Sequence, residues 1–360
     1  IKSNQKILYI TSYDSLRRDV SLYHTKFRFI IADEAQFIKN QFTQKSEAIK
    51  SIPSEINFAL TGTPIENGLQ DLWSVFDFLM PGYLSNYSRF KSRYETLIMN
   101  KDDEALEKLQ KRVSPFILRR TKKDVLNDLP EKFEDYYYCK MEPKQKEIYD
   151  AYVMKLKEDI KQGGNNILAL ITRLRQICMT PELIYQESFE NTKINMAIDL
   201  IKSSIDANHR ILVFSQFSQS FPILSTKLDN LGIKHFILDG TTKAKARMDM
   251  VEAFNSDESV KVFIISLKAG GTGLNLVGAD MVIHLDPWWN SSAELQATDR
   301  AYRIGQTKNV YVLKLICKDT IEEKVVNLQR LKRELADSIV HSDEASVIKF
   351  TKEDILNILD

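Results

Sequence analysis

The chain has 360 residues, a formal net charge of +1 at pH 7 and three cysteines. This length allows two domains with separate hydrophobic cores. A near-neutral charge argues against a globally basic nucleic-acid coat, although a local basic cleft would still attract a polyanion. The cysteines form no C-x-x-C pair, so we expect neither a disulfide framework nor a zinc site, and a reducing compartment. No apolar run approaches the ~20 residues of a membrane span, and we expect no membrane partner.

Short apolar runs alternate with helical patterns in the first part of the chain, as in a parallel sheet with helices on both faces. The predicted strands here are 7–10, 27–32 and 57–60. From residue 69 to about 176 the pattern is helical, interrupted by a predicted strand at 133–141 and a predicted loop at 163–166.

A second alternating series begins near residue 192. Its predicted strands are 211–214, 235–238, 260–266, 281–285 and 310–316. A charged helix is expected from 321 to about 340, and a last helical turn at 353–359. The sequence therefore predicts a second, complete α/β lobe.

An acidic pair, Asp33 and Glu34, directly follows the apolar run 29–32. In open α/β sheets, ligands bind at the carboxyl ends of the strands. Neighbouring residues at a strand end point to different sides, so Asp33 could hold Mg²⁺ while Glu34 polarises an attacking water. The alternative is a surface pair that caps the next helix.

A polar pattern near residue 300 follows a glycine-rich turn. Gln296, Arg300 and Arg303 have spacings of four and three, which predicts that they share one helix face. Two guanidinium groups suit a polyphosphate, because each binds phosphate bidentately and keeps its proton. The alternative is a solvated basic helix face.

Six segments occur in an order typical of one family. They are Asp-Glu-Ala-Gln at 33–36, Leu-Thr-Gly-Thr-Pro-Ile-Glu-Asn at 60–67, Pro-Phe-Ile-Leu-Arg-Arg-Thr-Lys at 115–122, Leu-Val-Phe-Ser-Gln-Phe at 212–217, and the segments 267–276 and 296–306. With these motifs the chain resembles the Swi/Snf-type ATPases of helicase superfamily two, from about residue 7 to 324. Arg-Ile-Gly-Gln at 303–306 points to this branch rather than to RNA helicases.

The resemblance implies an α/β fold with two RecA-like parallel-sheet lobes, the first incomplete, and helical protrusions. We expect four regions. They are the remainder of the first lobe with a protrusion (1–140), a helical linker or protrusion (141–191), the second lobe (192–320) and a helical extension (321–360).

The resemblance also implies roles for individual residues. Asp33 corresponds to the metal-holding acid, Glu34 to the water-activating acid, and Arg300 and Arg303 to arginine fingers. The residues expected to bind the nucleotide are Gln36, Gly271, Gly273 and Gln296. Those expected to contact nucleic acid, or to couple it to ATP, are Thr11, Ser12, Thr61, Thr63, Ser215, Gln216, Gly240, Thr241, Lys268, Thr272 and Asn275.

One departure from the family concerns the phosphate-binding loop, which ends in Gly-Lys-Ser/Thr and holds the phosphates with backbone amides. No glycine in this sequence is followed by lysine. We therefore expect the chain to be the carboxyl-terminal portion of a motor and to lack ATP hydrolysis on its own.

The function implied for the parent protein is ATP-driven translocation along double-stranded DNA, with remodelling of protein–DNA complexes. Its cofactors would be ATP and Mg²⁺, and its partners duplex DNA and a DNA-bound protein or the transcription machinery. A catalytically silent, helicase-like DNA-binding scaffold is the alternative, and an RNA-unwinding enzyme is disfavoured by the Thr-Gly-Thr-Pro and Arg-Ile-Gly-Gln segments. We expect a cytoplasmic location, at the nucleoid in a bacterium, or a nuclear one in a eukaryote.

Overall fold

The structure is a computed structural model that describes residues 7–62, 68–100, 102–120, 122, 129–162, 167–185, 187–270, 273–289 and 291–341, with side chains up to 331. The chain divides into two compact units. The first unit comprises residues 1–119 with 330–349, and the second comprises 120–329 with 350–360.

The described strands of the first unit form a two-stranded parallel sheet. β1 (Phe27–Ala32) pairs with β2 (Ser54–Ala59), with Phe29 opposite Ile56. Helices α1 (Tyr13–Asp19) and α2 (Gln44–Ser51) contribute to a core on one face of this sheet. The predicted strand at 7–10 is wrong, because these residues have no strand conformation.

The opposite face of β1 and β2 is uncovered within the part of the chain that the structure describes. Phe29, Ile31, Ile56 and Phe58 lie there, each between 47 and 61 % exposed. The rings of Phe29 and Phe58 are 6.2 Å apart. A contiguous apolar surface of this kind is typical of an interface.

The predicted helical region begins at residue 69, as expected, and forms its own core in the first unit. Its elements are α3 (Leu69–Leu79), α4 (Tyr87–Phe90), a π-helical turn (Lys91–Glu95), α5 (Thr96–Met99) and α6 (Asp103–Val113). Residues such as Trp73, Phe76 and Leu109 are buried between these helices. Asp102 begins α6, because its carboxylate accepts a hydrogen bond from the Ala105 amide at 3.0 Å.

The described strands of the second unit form a six-stranded parallel sheet in the order β3-β8-β7-β4-β6-β5. They are β3 (Lys132–Cys139), β4 (Ile211–Ser215), β5 (His235–Leu238), β6 (Val262–Ser266), β7 (Met281–His284) and β8 (Val310–Cys317). Every residue of β4, β6 and β7 is buried. Burial on both faces explains why these strands read as continuous apolar runs, and the predicted α/β class is confirmed.

β3 corrects the predicted position of its segment. The predicted position of this strand is in the first lobe, with a boundary at residue 140. In the structure β3 pairs with β8 along its whole length, from Lys132 opposite Val310 to Cys139 opposite Cys317. The strand therefore belongs to the second unit, and the division between the units lies at residue 119.

Hydrophobic cores lie on both faces of the second sheet. The described helices after β3 are α7 (Pro143–Lys161), α8 (Ile167–Met179), α9 (Thr192–Asp206), α10 (Phe221–Asn230), α11 (Ala244–Ser256), α12 (Leu267–Gly270), α13 (Ser291–Thr298) and α14 (Ile321–His341), of which the second unit includes α14 only up to residue 329. The predicted loop at 163–166 and the predicted turn at 353–359 lie outside the described residues. Among the described helices, none combines the length and the apolar character that crossing a membrane requires.

Candidate functional site

The acidic pair lies in a tight turn directly after β1. The carboxylate of Asp33 accepts a hydrogen bond from the Glu34 amide at 2.9 Å, and the Ala35 amide donates to the carbonyl of Leu60 at 2.8 Å. Glu34 has φ 50° and ψ 54°, a left-handed conformation that is uncommon for residues other than glycine. A strained residue that the surrounding hydrogen bonds hold in place is typical of a functional position.

A chain of hydrogen bonds joins this acid to the segment after β2. The Gln36 side-chain amide donates to Glu34 Oε2 at 2.6 Å, and the Thr61 hydroxyl donates to Gln36 Oε1 at 3.0 Å. Glu34, Gln36 and Thr61 thus form one connected group, although the sequence analysis gave them separate roles. Thr63, the other residue predicted in this segment, lies outside the described residues.

Asp33 has the chemistry of a magnesium ligand. Its side chain is exposed and forms no ion pair with the described residues. Its carbonyl accepts a hydrogen bond from the Tyr13 hydroxyl at 2.7 Å. Burial, followed by the charges of Asp33 and Glu34, raises the pKa of Tyr13 to about 12, so the phenol keeps its proton and remains a donor. An accessible carboxylate is the hard oxygen donor that Mg²⁺ prefers.

The predicted helix face that would carry Gln296, Arg300 and Arg303 is wrong for both arginines, because α13 ends at Thr298. Gln296 lies on the helix, whereas the arginines lie on the turns that follow it. After the helix the backbone turns, with the Arg300 amide donating to the Ala297 carbonyl at 3.1 Å, and the carbonyl of Arg300 accepts the Leu276 amide at 2.9 Å.

The two arginines have different surroundings. Arg300 is buried, with 8 % of its surface exposed, whereas Arg303 is exposed. The Arg303 guanidinium makes a long contact of 3.5 Å with the carbonyl of Leu274. Arg303 is therefore the arginine with the freedom to turn towards an anion.

Gln306 stabilises the turns at 299–305, called here the arginine turn. This role of Gln306 was not predicted from the sequence. Its side-chain amide donates to the carbonyls of Ala279 at 2.7 Å and of Ala301 and Val277 at 3.2 Å each. Its own side-chain oxygen accepts the amides that follow it. The signal was present in the Arg-Ile-Gly-Gln segment, whose glutamine therefore has a structural role.

Lys122 also contacts the arginine turn. Its ammonium group lies 2.5 Å from Asp299 Oδ1 and 2.6 Å from the carbonyl of Tyr302, and 5.1 Å from the centre of the Tyr302 ring. Asp299 and Tyr302 flank Arg300. Lys122 of the segment 115–122 is therefore a cation that stabilises the turn. From the sequence, this segment indicated only the family.

Ser215 and Gln216 follow the buried strand β4. Ser215 is fully buried, and its hydroxyl donates to Asp286 Oδ1 at 2.5 Å. The Gln216 amide donates to the same oxygen at 3.3 Å, and its side chain is half-buried. The Ser215 hydroxyl is thus bonded inside the unit, while Gln216 lies nearer the surface.

The remaining predicted contacts of the second unit that the structure describes lie at its surface. Gly240, Thr241, Lys268, Gly273 and Asn275 are all exposed. Thr241 donates through its amide and hydroxyl to Asp239 Oδ1, at 2.9 and 2.7 Å, and these bonds lower the pKa of that carboxyl. Gly273 has φ +56°, which favours glycine. Gly271 and Thr272 lie outside the described residues.

Thr11 and Ser12, the predicted backbone contacts of the first unit, lie before α1. Thr11 is exposed. The Ser12 hydroxyl oxygen accepts the Ser15 amide at 3.2 Å and caps α1. Ser12 is therefore an N-cap, and Thr11 is the more available hydroxyl.

Two buried titratable groups in the second unit predict a characteristic pH dependence. Burial lowers the pKa of His284 to about 4 from 6.5, and burial raises the pKa of Asp286 to about 6 from 3.8. Between pH 4 and 6.5 the unfolded chain binds more protons at His284, so acidification lowers the free energy of unfolding. Asp286 has the opposite effect between about pH 4 and 6, because there the folded chain binds more protons.

We expect Asp286→Asn to steepen the loss of stability in acid, because it removes the opposing contribution of about 3 kcal/mol. Urea unfolding of both proteins at intervals from neutral pH down to about pH 4 measures this slope. If the free energy of unfolding of the two proteins changes with pH in parallel, Asp286 does not have the raised pKa on which this prediction depends.

The fold and these sites define a class of protein, one built from helicase-like α/β units. The chain matches the SNF2-related domain over residues 2–183 and the helicase conserved C-terminal domain over residues 192–305. It belongs to the SNF2 family.

Related proteins and structures agree with this membership. The chain is 39% identical, over 98% of its length, to an uncharacterised ATP-dependent helicase of Mycoplasma genitalium, and spans 34% of that protein. It is 32% identical to the TATA-binding protein-associated factor MOT1 of Saccharomyces cerevisiae, over 98% of this chain and 22% of that protein. A Sulfolobus solfataricus SWI2/SNF2 ATPase core solved with double-stranded DNA is 40% identical, with a TM-score of 0.51, over 92% of this chain and 72% of that one. The same core domain in a second structure gives 39% identity and a TM-score of 0.55, over 97% and 74%.

Proposed function

We propose that this chain works as part of an ATP-driven translocase on double-stranded DNA that remodels protein–DNA complexes. The observation that carries the proposal is the hydrogen-bonded group Glu34–Gln36–Thr61, which connects a water-activating acid to a segment expected to respond to DNA. A DNA-binding scaffold has no need for such a connection. The similarity to a Sulfolobus core solved with duplex DNA supports the choice of polymer.

Residues from each unit would have a separate role in ATP hydrolysis. Asp33 would hold Mg²⁺, which neutralises phosphate charge when bound. Glu34 would orient and polarise the attacking water, and Arg303, with the less mobile Arg300, would stabilise negative charge on the phosphate. We assign Gln36, Gly273 and Gln296, with Gly271, to the nucleotide.

The exposed residues would contact DNA through its backbone. Thr11, Lys268 and Asn275 present hydroxyl, ammonium and amide groups, which are typical donors to phosphate oxygens, whereas the Thr241 hydroxyl would have to leave Asp239 first. Ser215 is excluded from direct contact by its burial, and its role would be to shape the loop that presents Gln216.

The chain by itself would not turn over ATP, because its sequence has no Gly-Lys phosphate loop. We define the loop-bearing form as this chain joined, at its amino end, to a first-lobe segment with such a loop grafted from a relative. The uncovered apolar face of β1 and β2 is the surface on which we propose that this segment packs.

ATP turnover measured with duplex DNA, single-stranded DNA and RNA tests the function. The loop-bearing form is expected to respond most strongly to duplex DNA, and the chain alone to stay at background. Robust DNA-stimulated hydrolysis by the chain alone would show that the nucleotide site is misplaced. Stimulation by RNA alone would favour an RNA-unwinding enzyme, and no hydrolysis by the loop-bearing form would favour the scaffold.

We expect DNA affinity to depend steeply on salt and little on sequence, because the exposed groups meet phosphates rather than bases. Each neutralised phosphate should cost roughly 0.9 log units of affinity per log unit of salt. Fluorescence anisotropy with duplexes of unrelated sequence, between about 50 and 200 mM salt, measures both properties. Binding that is indifferent to salt but varies sharply with sequence would refute this mode of recognition.

The remodelled partner would be a DNA-bound protein. The relative MOT1 is by name a TATA-binding protein-associated factor, which illustrates the kind of target that a family member has. We propose the same class of partner here, without extending the identity of that factor to this chain.

A further inference from the structure

Arg175 is a buried cation that the proposed chemistry does not use. It lies on α8, in the helical segment before the second lobe predicted from the sequence, and 4 % of its surface is exposed. Burial lowers the pKa of its guanidinium, yet an arginine keeps its charge in proteins. A permanently charged group in a core needs a compensating partner. The groups that surround Arg175 therefore indicate which part of the fold it stabilises.

The partners of Arg175 lie on two loops at the carboxyl edge of the second sheet. Its guanidinium donates to the carbonyl of Pro287 at 2.5 Å and lies 4.0 Å from Asp286 Oδ2, both on the loop after β7. It also lies 5.9 Å from the ring centre of Phe217, which follows β4, and 5.7 and 5.5 Å from those of Trp288 and Trp289. One side chain therefore contacts the loops of two neighbouring strands.

Asp286 connects these two loops directly. Its Oδ1 accepts the Ser215 hydroxyl and the Gln216 amide, while its other oxygen faces Arg175. Among the described residues, neither Asp286 Oδ2 nor Arg175 Nε has a hydrogen-bond partner. Hydrogen bonds therefore do not fully fix the ion pair between Arg175 and Asp286. The distance between the two charged groups depends on the position of α8.

The same loop is fixed from its other end by buried polar groups. The Trp288 amide donates to Glu294 Oε1 at 2.6 Å, and Gln329 donates to the Trp288 carbonyl and, at 2.9 Å, to Glu294. Lys314 lies 3.1 Å from the second oxygen of Glu294. Glu294 is on α13, the helix that leads into the arginine turn, so the β7 loop joins the β4 loop to that turn.

We propose that Arg175 is a positioning residue that sets the β4 loop (216–217) and the β7 loop (286–289) in the geometry that engages the DNA backbone. The inference rests on the proposed function, because it assigns the β4 loop to DNA. It gives α8 a specific task, which is to hold the carboxyl-edge loops of the second sheet through one guanidinium group. Lysine would preserve the charge but not the planar fork that lies among three aromatic rings.

The test compares four forms of the 360-residue chain, which are the unmodified protein, Arg175→Lys, the double variant Arg175→Met/Asp286→Asn, and Arg173→Ala. The double variant removes both charges, so no unpaired ion stays buried if the single change prevents folding. Arg173 lies on the same helix but is exposed, which makes its alanine variant the matched control. Hydrogen exchange reports the two loops, and anisotropy reports affinity for a duplex DNA.

In the double variant we expect faster exchange at 216–217 and 286–289, unchanged exchange in β4 and β7, and an affinity about tenfold weaker, as for one lost charged hydrogen bond. Arg175→Lys should recover part of the affinity, and Arg173→Ala should match the unmodified chain. Full duplex affinity with unchanged loop exchange in the double variant overturns the inference and leaves the proposed function standing. No duplex binding by the unmodified chain overturns both.

Discussion

Arg303→Ala in the loop-bearing form is expected to lower DNA-stimulated ATP turnover by about a hundredfold or more. Arginine fingers in other nucleotide hydrolases contribute about 10³ to 10⁵ in rate, because they stabilise charge that grows in the transition state. Even the lower figure is about 4 kcal/mol, well above the ~1 kcal/mol or less of a surface ion pair. The size of the effect therefore separates an arginine finger from a solvated basic surface.

The structure makes Arg303 the sharper of the two arginine tests. Arg300 is buried and its carbonyl holds Leu276, so its replacement would disturb the fold as well as the charge. Arg303 is exposed, so its removal should leave circular dichroism and DNA affinity nearly intact. Arg303→Lys should recover little, because an ammonium lacks the bidentate fork. Arg173→Ala, which removes another exposed arginine, is the control. If the turnover of Arg303→Ala is within a few-fold of the turnover of Arg173→Ala, Arg303 is a solvated surface residue and not an arginine finger.

The strands were readable from the sequence where their residues form short apolar runs, whether the strand is buried on both faces, as β4 is, or exposed on one face, as β1 is. β1 and β5 have the predicted bounds, and β4 and β8 differ from prediction by one residue each. The segment 7–10 has the same apolar composition but no strand, because a strand also needs a neighbour for its backbone hydrogen bonds. Composition does not say whether that neighbour is present.

The pairing of β3 could not be read from local sequence. Its partner β8 lies far along the chain, with Glu134 opposite Val312. Parallel strands need no short connection, so order along the chain leaves their adjacency open. The same limit applies to the turn after α13, where the Arg300 carbonyl accepts the distant Leu276 amide, a contact that local sequence does not reveal.

The positions of the site residues were partly predictable, and their connections were not. Their position at a strand end located Asp33 and Glu34, because parallel sheets present such residues at one edge, whereas Ser215 came from the family resemblance. The bond from Gln36 to Thr61 and the ion pair of Lys122 with Asp299 depend on tertiary contacts. Roles that depend on contact therefore had to come from the structure.

Glu34→Gln in the loop-bearing form is expected to lower DNA-stimulated turnover by about 10² to 10⁴, the usual contribution of a general base. Glutamine has nearly the same shape and preserves an oxygen for the Gln36 amide, so the hydrogen-bonded link to Thr61 should survive. ATP and duplex DNA affinities should therefore change little, while the rate of the hydrolysis step falls. Steady-state turnover, together with single-turnover hydrolysis of bound ATP, separates these quantities.

Glu47→Gln provides the matched control, because Glu47 is an exposed glutamate on α2 of the same unit. A second variant, Gln36→Ala, removes the link but leaves the Glu34 carboxylate in place. If the Glu34–Gln36–Thr61 group couples DNA to hydrolysis, Gln36→Ala should reduce stimulation by DNA more than it reduces turnover without DNA. Glu34→Gln should reduce both equally, because water activation is needed with or without DNA. If Glu34→Gln and Gln36→Ala change turnover with and without DNA in the same proportion, Glu34 and Gln36 have one role rather than two. If Glu34→Gln keeps near-normal turnover, the acidic pair is a surface pair that caps the next helix and not a catalytic group.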